Sequence, residues 1–448
     1  MKLISEMVQK MPVRVGSLRK SMLALVAGAS VLAGCDSILE VDRPDIIEPG
    51  KLVGEAGATA AYNGAVGDFA SALSGPGPVT GGVGQFLAFA SLFSDEFRFG
   101  STPPEVGQFD QGRVVKENTL NQGIYLSIHH ARESAEQAAA KVVAFKANDA
   151  RAGELYGLSA LTTIILGEHY CSGLPFSVSQ PDIVYGVPLS TDAVFDRALT
   201  QVAAGVQNTG GDARVTNLLA VLKGRALLDK GSYAAAAAAV AAVPTSYEYD
   251  AIYSSANTST QNLYRNTSYD GGFLVVADVD GGTGLNYASA GDPRVPVDFP
   301  ATQPYNGTGG RLLTYSDYGK PITQASGIEA RLIEAEAALK ASDVTTWLNT
   351  LNTIRGTISL GPLTDPGTTD ARVSLTFRER AFWMFSTGHR VGDMRRLVRQ
   401  YSRPVTSVFP TGPYPGGVPR GNQASIIIPT TEENNPNYKA ADCNPLAA

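Results

Sequence analysis

Apolar residues recur at helical spacing near both ends of the chain, whereas the middle lacks this periodicity. Between Arg151 and Glu168, the apolar positions that share one face at spacings of three and four are Leu155, Leu158, Leu161, Ile165 and Leu166. Thr191 is placed to cap a following helix that runs through Val202. The pattern predicts a mainly α-helical protein.

Two pairs of consecutive helices are predicted. The first joins residues 218–228 to an alanine-rich helix that starts at Tyr233 and ends at Pro244, across a turn at Gly231. Such a unit resembles a tetratricopeptide-type hairpin, in which alanines let two helices approach closely. The second joins residues 328–339 to a helix capped by Asp343, with the apolar positions Ile328, Leu332, Ala335, Leu339, Val344, Trp347, Leu351 and Ile354. The two pairs are far apart in the chain, which indicates a helical scaffold with insertions.

The middle of the chain, from residue 245 to about 324, is rich in Tyr, Asn, Ser, Gly and Pro, with one short strand predicted at residues 273–277. Loops on a rigid scaffold commonly contact ligands, and tyrosine rings can stack against the apolar faces of sugars. From this region and from residues 86–108, the candidate ligand contacts are Tyr249, Tyr264, Tyr269, Tyr287, Asp95 and Arg98. The tyrosines could instead pack the loops onto the scaffold.

The N-terminal residues have the pattern of a lipoprotein leader. Basic residues precede an apolar run from Met22 to Ala33, which is too short to span a bilayer and ends in Leu-Ala-Gly followed by Cys35. We expect residues 1–34 to be a signal peptide and Cys35 to carry the lipid that tethers the mature protein. Two alternatives stay open: Cys35 could be an ordinary residue after a cleaved secretory signal, and translation could start at Met1 or Met11.

The two other cysteines, Cys171 and Cys443, predict a disulfide, because an exported protein meets an oxidising environment. The alternative is two unpaired thiols. The bridge would tie the C-terminal tail to the N-terminal half of the chain.

Composition argues against several classes of function. The net charge is −6 and no cluster of Lys and Arg follows the leader, so nucleic acid is not an expected partner. The four histidines form no ligand pattern with the cysteines, and no Gly-x-x-x-x-Gly-Lys loop is present. We therefore expect no metal and no cofactor.

A charged motif near the C-terminus combines a helix over residues 377–385 with a Gly-His-Arg element and a following Asp-x-x-Arg. Its signature residues are Arg380, Gly388, His389, Arg390, Asp393 and Arg396. His389 beside Ser386 and Asp393 could suggest a hydrolase triad, but no Gly-x-Ser-x-Gly elbow surrounds the serine. We expect an architectural role in which arginines pair with carboxylates.

This motif resembles the C-terminal signature of the RagB/SusD family. Further matches are the lipoprotein cysteine, the helix over residues 329–337, Asp292-Pro293-Arg294, and the closing Ile428-Pro429 with residues 435–437. The resemblance implies an α-helical SusD-like fold with tetratricopeptide-like hairpins. It also implies a cell-surface lipoprotein of the outer membrane that binds a nutrient, commonly a glycan, and delivers it to a SusC-like TonB-dependent barrel transporter.

On this basis the chain divides into the signal peptide (1–34), an N-terminal helical part (35–244), a loop-rich, ligand-facing insert (245–327) and a C-terminal helical part (328–448). No enzymatic activity is expected. Two rival hypotheses stay open, which are a lipid-anchored glycoside hydrolase with an acidic pair in the loops and a helical-repeat scaffold for envelope assembly.

Overall fold

The structure is a computed structural model, and it describes residues 53–76, 85–101, 103–179, 182–270, 273–299, 310–414 and 417–448. The predicted signal peptide and Cys35 lie outside the described residues. Among the residues described, no helix combines the length and apolar character needed to cross a membrane.

Helices dominate the described residues, as the periodicity predicts. They are α1 (Gly54–Ser74), α2 (Phe86–Phe93), α3 (Pro104–Asp110), α4 (Thr119–Phe145), α5 (Ala150–His169), α6 (Thr191–Val206), α7 (Ala213–Asp229), α8 (Tyr233–Val240), α9 (Gly327–Lys340), α10 (Val344–Gly356), α11 (Thr369–Trp383), α12 (Arg390–Tyr401) and α13 (Val405–Val408). Helix α5 is central, since it packs against α1, α4, α6, α7 and α12. Its residues from Ala152 to His169 are almost all buried, which explains its strong apolar pattern.

The helices α7 and α8 form the predicted tetratricopeptide-like hairpin. A Cβ atom added at Gly224 of α7 would lie 2.4 Å from Cγ1 of Val240, so the glycine permits the close approach of the two helices. Helix α8 ends at Val240, earlier than Pro244, because the intervening residues form a turn. The second predicted pair is α9 and α10, and Asp343 caps α10 by accepting a bond from the backbone N of Thr346 at 3.0 Å.

One cap differs from its prediction by a residue. Ser190 is the N-cap of α6, and its Oγ accepts a hydrogen bond from the backbone N of Ala193 at 3.3 Å. Thr191 is the first residue of the helix instead. A Ser-Thr pair offers two hydroxyl groups that can cap, so the sequence could not separate them.

The described residues contain three short antiparallel strand pairs, of which the first joins the insert to the N-terminal part and the other two lie within the insert. They are β1 (Phe97–Phe99) with β3 (Leu274–Val276), β2 (Glu248–Ala251) with β6 (Ile322–Ser326), and β4 (Val297–Asp298) with β5 (Arg311–Leu312). In the first pair Arg98 lies opposite Val275. The chain leaves β3 beside Phe97 and then returns, so that Asp280 lies 3.7 Å from Nε of Arg98 and positions the site described below.

The predicted disulfide between Cys171 and Cys443 is present. It connects Cys171, two residues beyond the end of α5, to the C-terminal tail. The backbone N of Cys171 also donates to the carbonyl of Ile426 at 3.0 Å. The tail is thus fixed to the helical core at two neighbouring points.

Candidate functional site

The C-terminal signature forms a buried ionic network. Asp393 accepts bonds from Nε of Arg380 at 3.0 Å and from Nη2 of Arg396 at 2.7 Å. Burial opposes the charged form of Asp393, but the two guanidinium groups outweigh it and hold the pKa of this carboxyl well below its usual range. Gly388 has a φ of +86°, and an added Cβ would lie 2.8 Å from Leu87, so only glycine fits there.

His389 lies inside this network and makes no hydrogen bond to Ser386. Its Nδ1 lies 2.8 Å from Oγ1 of Thr387, and its Nε2 lies 3.5 Å from Glu329. Ser386 instead directs its Oγ to the hydroxyl of Tyr315 at 3.3 Å. The geometry therefore does not form the Ser-His pair that a hydrolase triad requires.

Four of the predicted ligand contacts lie in the protein interior, which corrects the expectation that they face a ligand. Tyr249 donates to Glu154 at 2.7 Å, and Tyr264 stacks on Tyr315 with ring centroids 4.8 Å apart. Tyr287 is fully buried against two phenylalanines, Phe382 and Phe385. Asp95 is also fully buried and is paired with a guanidinium group of the signature.

The fifth predicted residue, Tyr269, is partly exposed within a π-helical turn over Arg265–Asp270. Guanidinium groups already lie over its ring, with Arg311 at 4.5 Å and Arg265 at 5.5 Å from the centroid. The same Arg265 is 4.8 Å from the ring of Tyr318. Ligand contact at Tyr269 stays a prediction.

The sixth predicted residue, Arg98, lines a surface groove of about 420 Å³. The other walls are the loop Asp278–Gly282, which follows β3, and the residues Pro413 and Tyr414. We call this site the Arg98 groove. The backbone N of Gly412 donates to the carbonyl of Gly281 at 2.8 Å, and this bond holds the two walls together.

A buried carboxylate in the groove wall has one oxygen without a partner. Oδ1 of Asp280 accepts a bond from Nη2 of Arg420 at 2.7 Å and lies 3.7 Å from Nε of Arg98. Oδ2 is buried and has no hydrogen-bond partner among the residues that the structure describes. A buried acceptor without a partner carries a free-energy cost.

One residue of the same loop has a strained backbone. Val279 has a φ of +52°, a conformation that β-branched residues rarely adopt, and its side chain is 48% exposed. Gly281 and Gly282 also have positive φ values. Strained residues persist only where the surrounding structure holds them in place, and they are common at ligand-binding loops.

The charges beside the groove are balanced within the protein. Burial is the main cause that raises the pKa of Asp280 and brings the pKa of Asp110 to about 7, while Arg420 opposes both shifts. The ring of Tyr414 lies 5.3 Å from the guanidinium group of Arg420. The Arg98 groove therefore combines an aromatic residue, Tyr414, with a polar loop and a paired guanidinium group.

Sequence reasoning found Arg98 but missed Asp280, Val279 and Tyr414. The Asp278–Gly282 segment carries a turn signal in its consecutive glycines, and Tyr414 lies in a Pro- and Gly-rich stretch. These signals mark loops without saying which loops meet. Among the described residues, no group of three or more His, Cys, Asp or Glu side chains could hold a metal ion.

Comparison with solved structures identifies the fold. A SusD superfamily protein of Parabacteroides distasonis superposes with a TM-score of 0.65 at 14% identity, over 86% of this chain and 98% of that chain. A SusD superfamily protein of Bacteroides fragilis gives a TM-score of 0.63 at 15% identity, over 86% and 99%. The chain has the SusD superfamily fold. This confirms the SusD-like, mainly helical architecture expected from the sequence.

A third SusD-like structure carries a description of its ligand. The SusD-like carbohydrate binding protein of Bacteroides fragilis superposes with a TM-score of 0.62 at 15% identity, over 87% of this chain and 99% of that chain. No protein-family model and no curated protein matches the sequence. At these identities the likeness establishes the fold.

Proposed function

We propose that this protein is a non-enzymatic, cell-surface lipoprotein that binds a glycan in the Arg98 groove and delivers it to a TonB-dependent outer-membrane transporter. The observation that carries the proposal is the lining of the Arg98 groove, in which Tyr414 lies with Arg98 and the polar loop Asp278–Gly282. A sugar offers hydroxyl groups for the polar lining of the groove and an apolar face for the ring of Tyr414. The carbohydrate-binding description of a protein with the same fold supports this ligand class.

The rival glycoside hydrolase would need two carboxyl groups that reach the sugar. Asp110 and Asp280 lie near each other, since Arg420 contacts both. The side chain of Asp110, however, has no exposed surface, and its Oδ2 accepts a bond from the backbone N of Phe99 at 2.6 Å. A group enclosed in this way cannot protonate a bound glycosidic oxygen. The other carboxyl group of the groove lining, Asp278, already accepts bonds from the backbone N and the hydroxyl of Ser289 at 3.0 and 2.8 Å. Binding without turnover is therefore the better-supported function.

Anchoring and delivery rest on the sequence resemblance. A lipid on Cys35 would keep the protein at the outer membrane, and a SusC-like barrel would receive the ligand. This part is tested by purifying the full-length protein from outer membranes. Recovery of a barrel transporter at about one copy per lipoprotein supports delivery, and loss of membrane association in Cys35→Ser supports the anchor. Recovery of the lipoprotein alone contradicts the delivery step.

Ligand binding is tested with a panel of plant and host oligosaccharides by isothermal titration. Tyr414→Ala should weaken the best ligand roughly tenfold, whereas Tyr414→Phe keeps the ring and should retain most of the affinity. Tyr185→Ala is a matched control, because Tyr185 is exposed but lies outside the groove. Equal losses in all three variants, or the release of new reducing ends during incubation, would overturn the proposal.

A further inference from the structure

A second groove lies between the exposed face of α1 and residues 252–261 of the insert. Its volume is about 320 Å³, and it shares no lining residue with the Arg98 groove. On the α1 side its floor contains Gly64 and Gly67. We call it the α1 groove.

The two floor glycines have no packing role. A Cβ atom added at Gly64 or Gly67 would meet nothing within 4 Å, whereas the added Cβ at Gly224 would clash with Val240. Neither of the two has a positive φ that would require glycine. A glycine inside a helix is destabilising relative to alanine, so the helix gives up stability at these positions. What the glycines provide is open space above the backbone of α1.

The walls of this space present hydrogen-bonding groups of both kinds. Asn63 on α1 and Gln261 on the insert line the groove, and within the described residues neither side chain makes a hydrogen bond. Each amide offers two donors and an acceptor. Ile252, which is 66% exposed, adds an apolar surface to the same wall.

The described lining of the α1 groove contains a single charged side chain, which has partners within the protein. Asp68 is the one charged residue of its lining, and its Oδ2 accepts a bond from Oγ of Ser134 at 2.7 Å and lies 3.4 Å from Nε2 of His130. An anionic ligand would therefore meet a like charge, and a cationic ligand would compete with Ser134 and His130 for Asp68. Amides with an apolar patch suit an uncharged molecule that carries several hydroxyl groups.

We propose that the α1 groove is a second binding site for an uncharged, polyhydroxylated molecule such as a neutral sugar. The site shares the ligand class of the proposed function but rests on none of the residues of the Arg98 groove. Two sites on one protein would let it hold two parts of the same chain or two short ligands, which raises the effective affinity for long glycans.

The test is saturation-transfer NMR on the full chain with maltose, cellobiose and lactose as neutral probes and with glucuronate and glucosamine as charged comparators. Gly67→Leu fills the groove, and Ala56→Leu adds the same side chain to an exposed position on the same helix. Gln261→Ala tests the other wall without changing α1. Melting curves show whether each variant is folded.

We expect at least one neutral probe to bind, with roughly tenfold weaker binding in Gly67→Leu, a smaller loss in Gln261→Ala and no loss in Ala56→Leu. Part of the signal should persist in Tyr414→Ala. The inference is overturned if no neutral probe binds, if Gly67→Leu and Gln261→Ala bind like the parent protein, or if the charged sugars bind equally well. If Tyr414→Ala alone removes all binding, the sugar binds in the Arg98 groove alone, which supports the proposed function and refutes the second site.

Discussion

Arg390 and Asp95 are 295 residues apart in the chain but form an ion pair with two hydrogen bonds, of 2.6 Å from Nε to Oδ1 and 2.8 Å from Nη2 to Oδ2. Both residues are buried. Oδ2 of Asp95 also accepts the backbone N of Leu285 at 2.9 Å, just beyond the loop Asp278–Gly282. The C-terminal signature thus supports the wall of the Arg98 groove from inside the protein.

Arg390→Ala should lower the free energy of unfolding by about 3–5 kcal/mol, because it leaves the buried Asp95 carboxylate without its cation. Arg403→Ala is the control, since Arg403 pairs with Asp370, whose side chain is 85% exposed, and such surface pairs contribute about 0–1 kcal/mol. Urea unfolding monitored by circular dichroism measures both. Equal losses would contradict the architectural role of the signature.

Glu96 should make the protein less stable as the pH rises. Burial raises the pKa of Glu96 to about 8, against an unfolded value of about 4.3. The folded state therefore holds this proton more tightly, and stability falls as the pH rises through that interval. Glu96→Gln removes the titration and should gain stability relative to the parent, by about 3–4 kcal/mol more at pH 8 than at pH 5. Unfolding curves at the two pH values measure this difference. If the parent and the variant lose the same stability between pH 5 and pH 8, Glu96 does not cause the pH dependence.

The disulfide should contribute about 3–5 kcal/mol, because it joins residues 272 positions apart in the sequence and so restricts the unfolded chain. Cys443→Ser should lose this amount, and dithiothreitol should destabilise the parent protein by a similar amount. Thermal melts with and without reductant provide the comparison. A variant that is still sensitive to reductant would indicate a different source of the effect.

Val279→Gly should raise the free energy of unfolding by about 1 kcal/mol, since glycine adopts the positive φ of this position without strain. The same change should weaken glycan binding, because it loosens the groove wall and removes an exposed apolar side chain. Val187→Gly is a control at another exposed valine, where we expect stability to fall. If Val279→Gly lowers stability, the loop is not strained.

The sequence predicts the helices well because their periodicity is local. It places α5, α7, α9 and α10 correctly. The resemblance of the C-terminal signature leads to the SusD-like fold, and the expectation of an oxidising environment leads to the disulfide. Ligand residues depend on which loops meet. Tyr249 and Tyr264 look like surface tyrosines in a polar segment, yet they pack inward, and Asp280 meets Arg98 across a separation that no local pattern reveals.

Hydrogen exchange of the full chain with and without its best glycan tests the ligand site most directly. We predict slower exchange of the amides in Asp278–Gly282 and around Tyr414, with no cleavage of the glycan. Protection that is absent from both segments, or glycan that is hydrolysed during the incubation, would contradict glycan binding in the Arg98 groove.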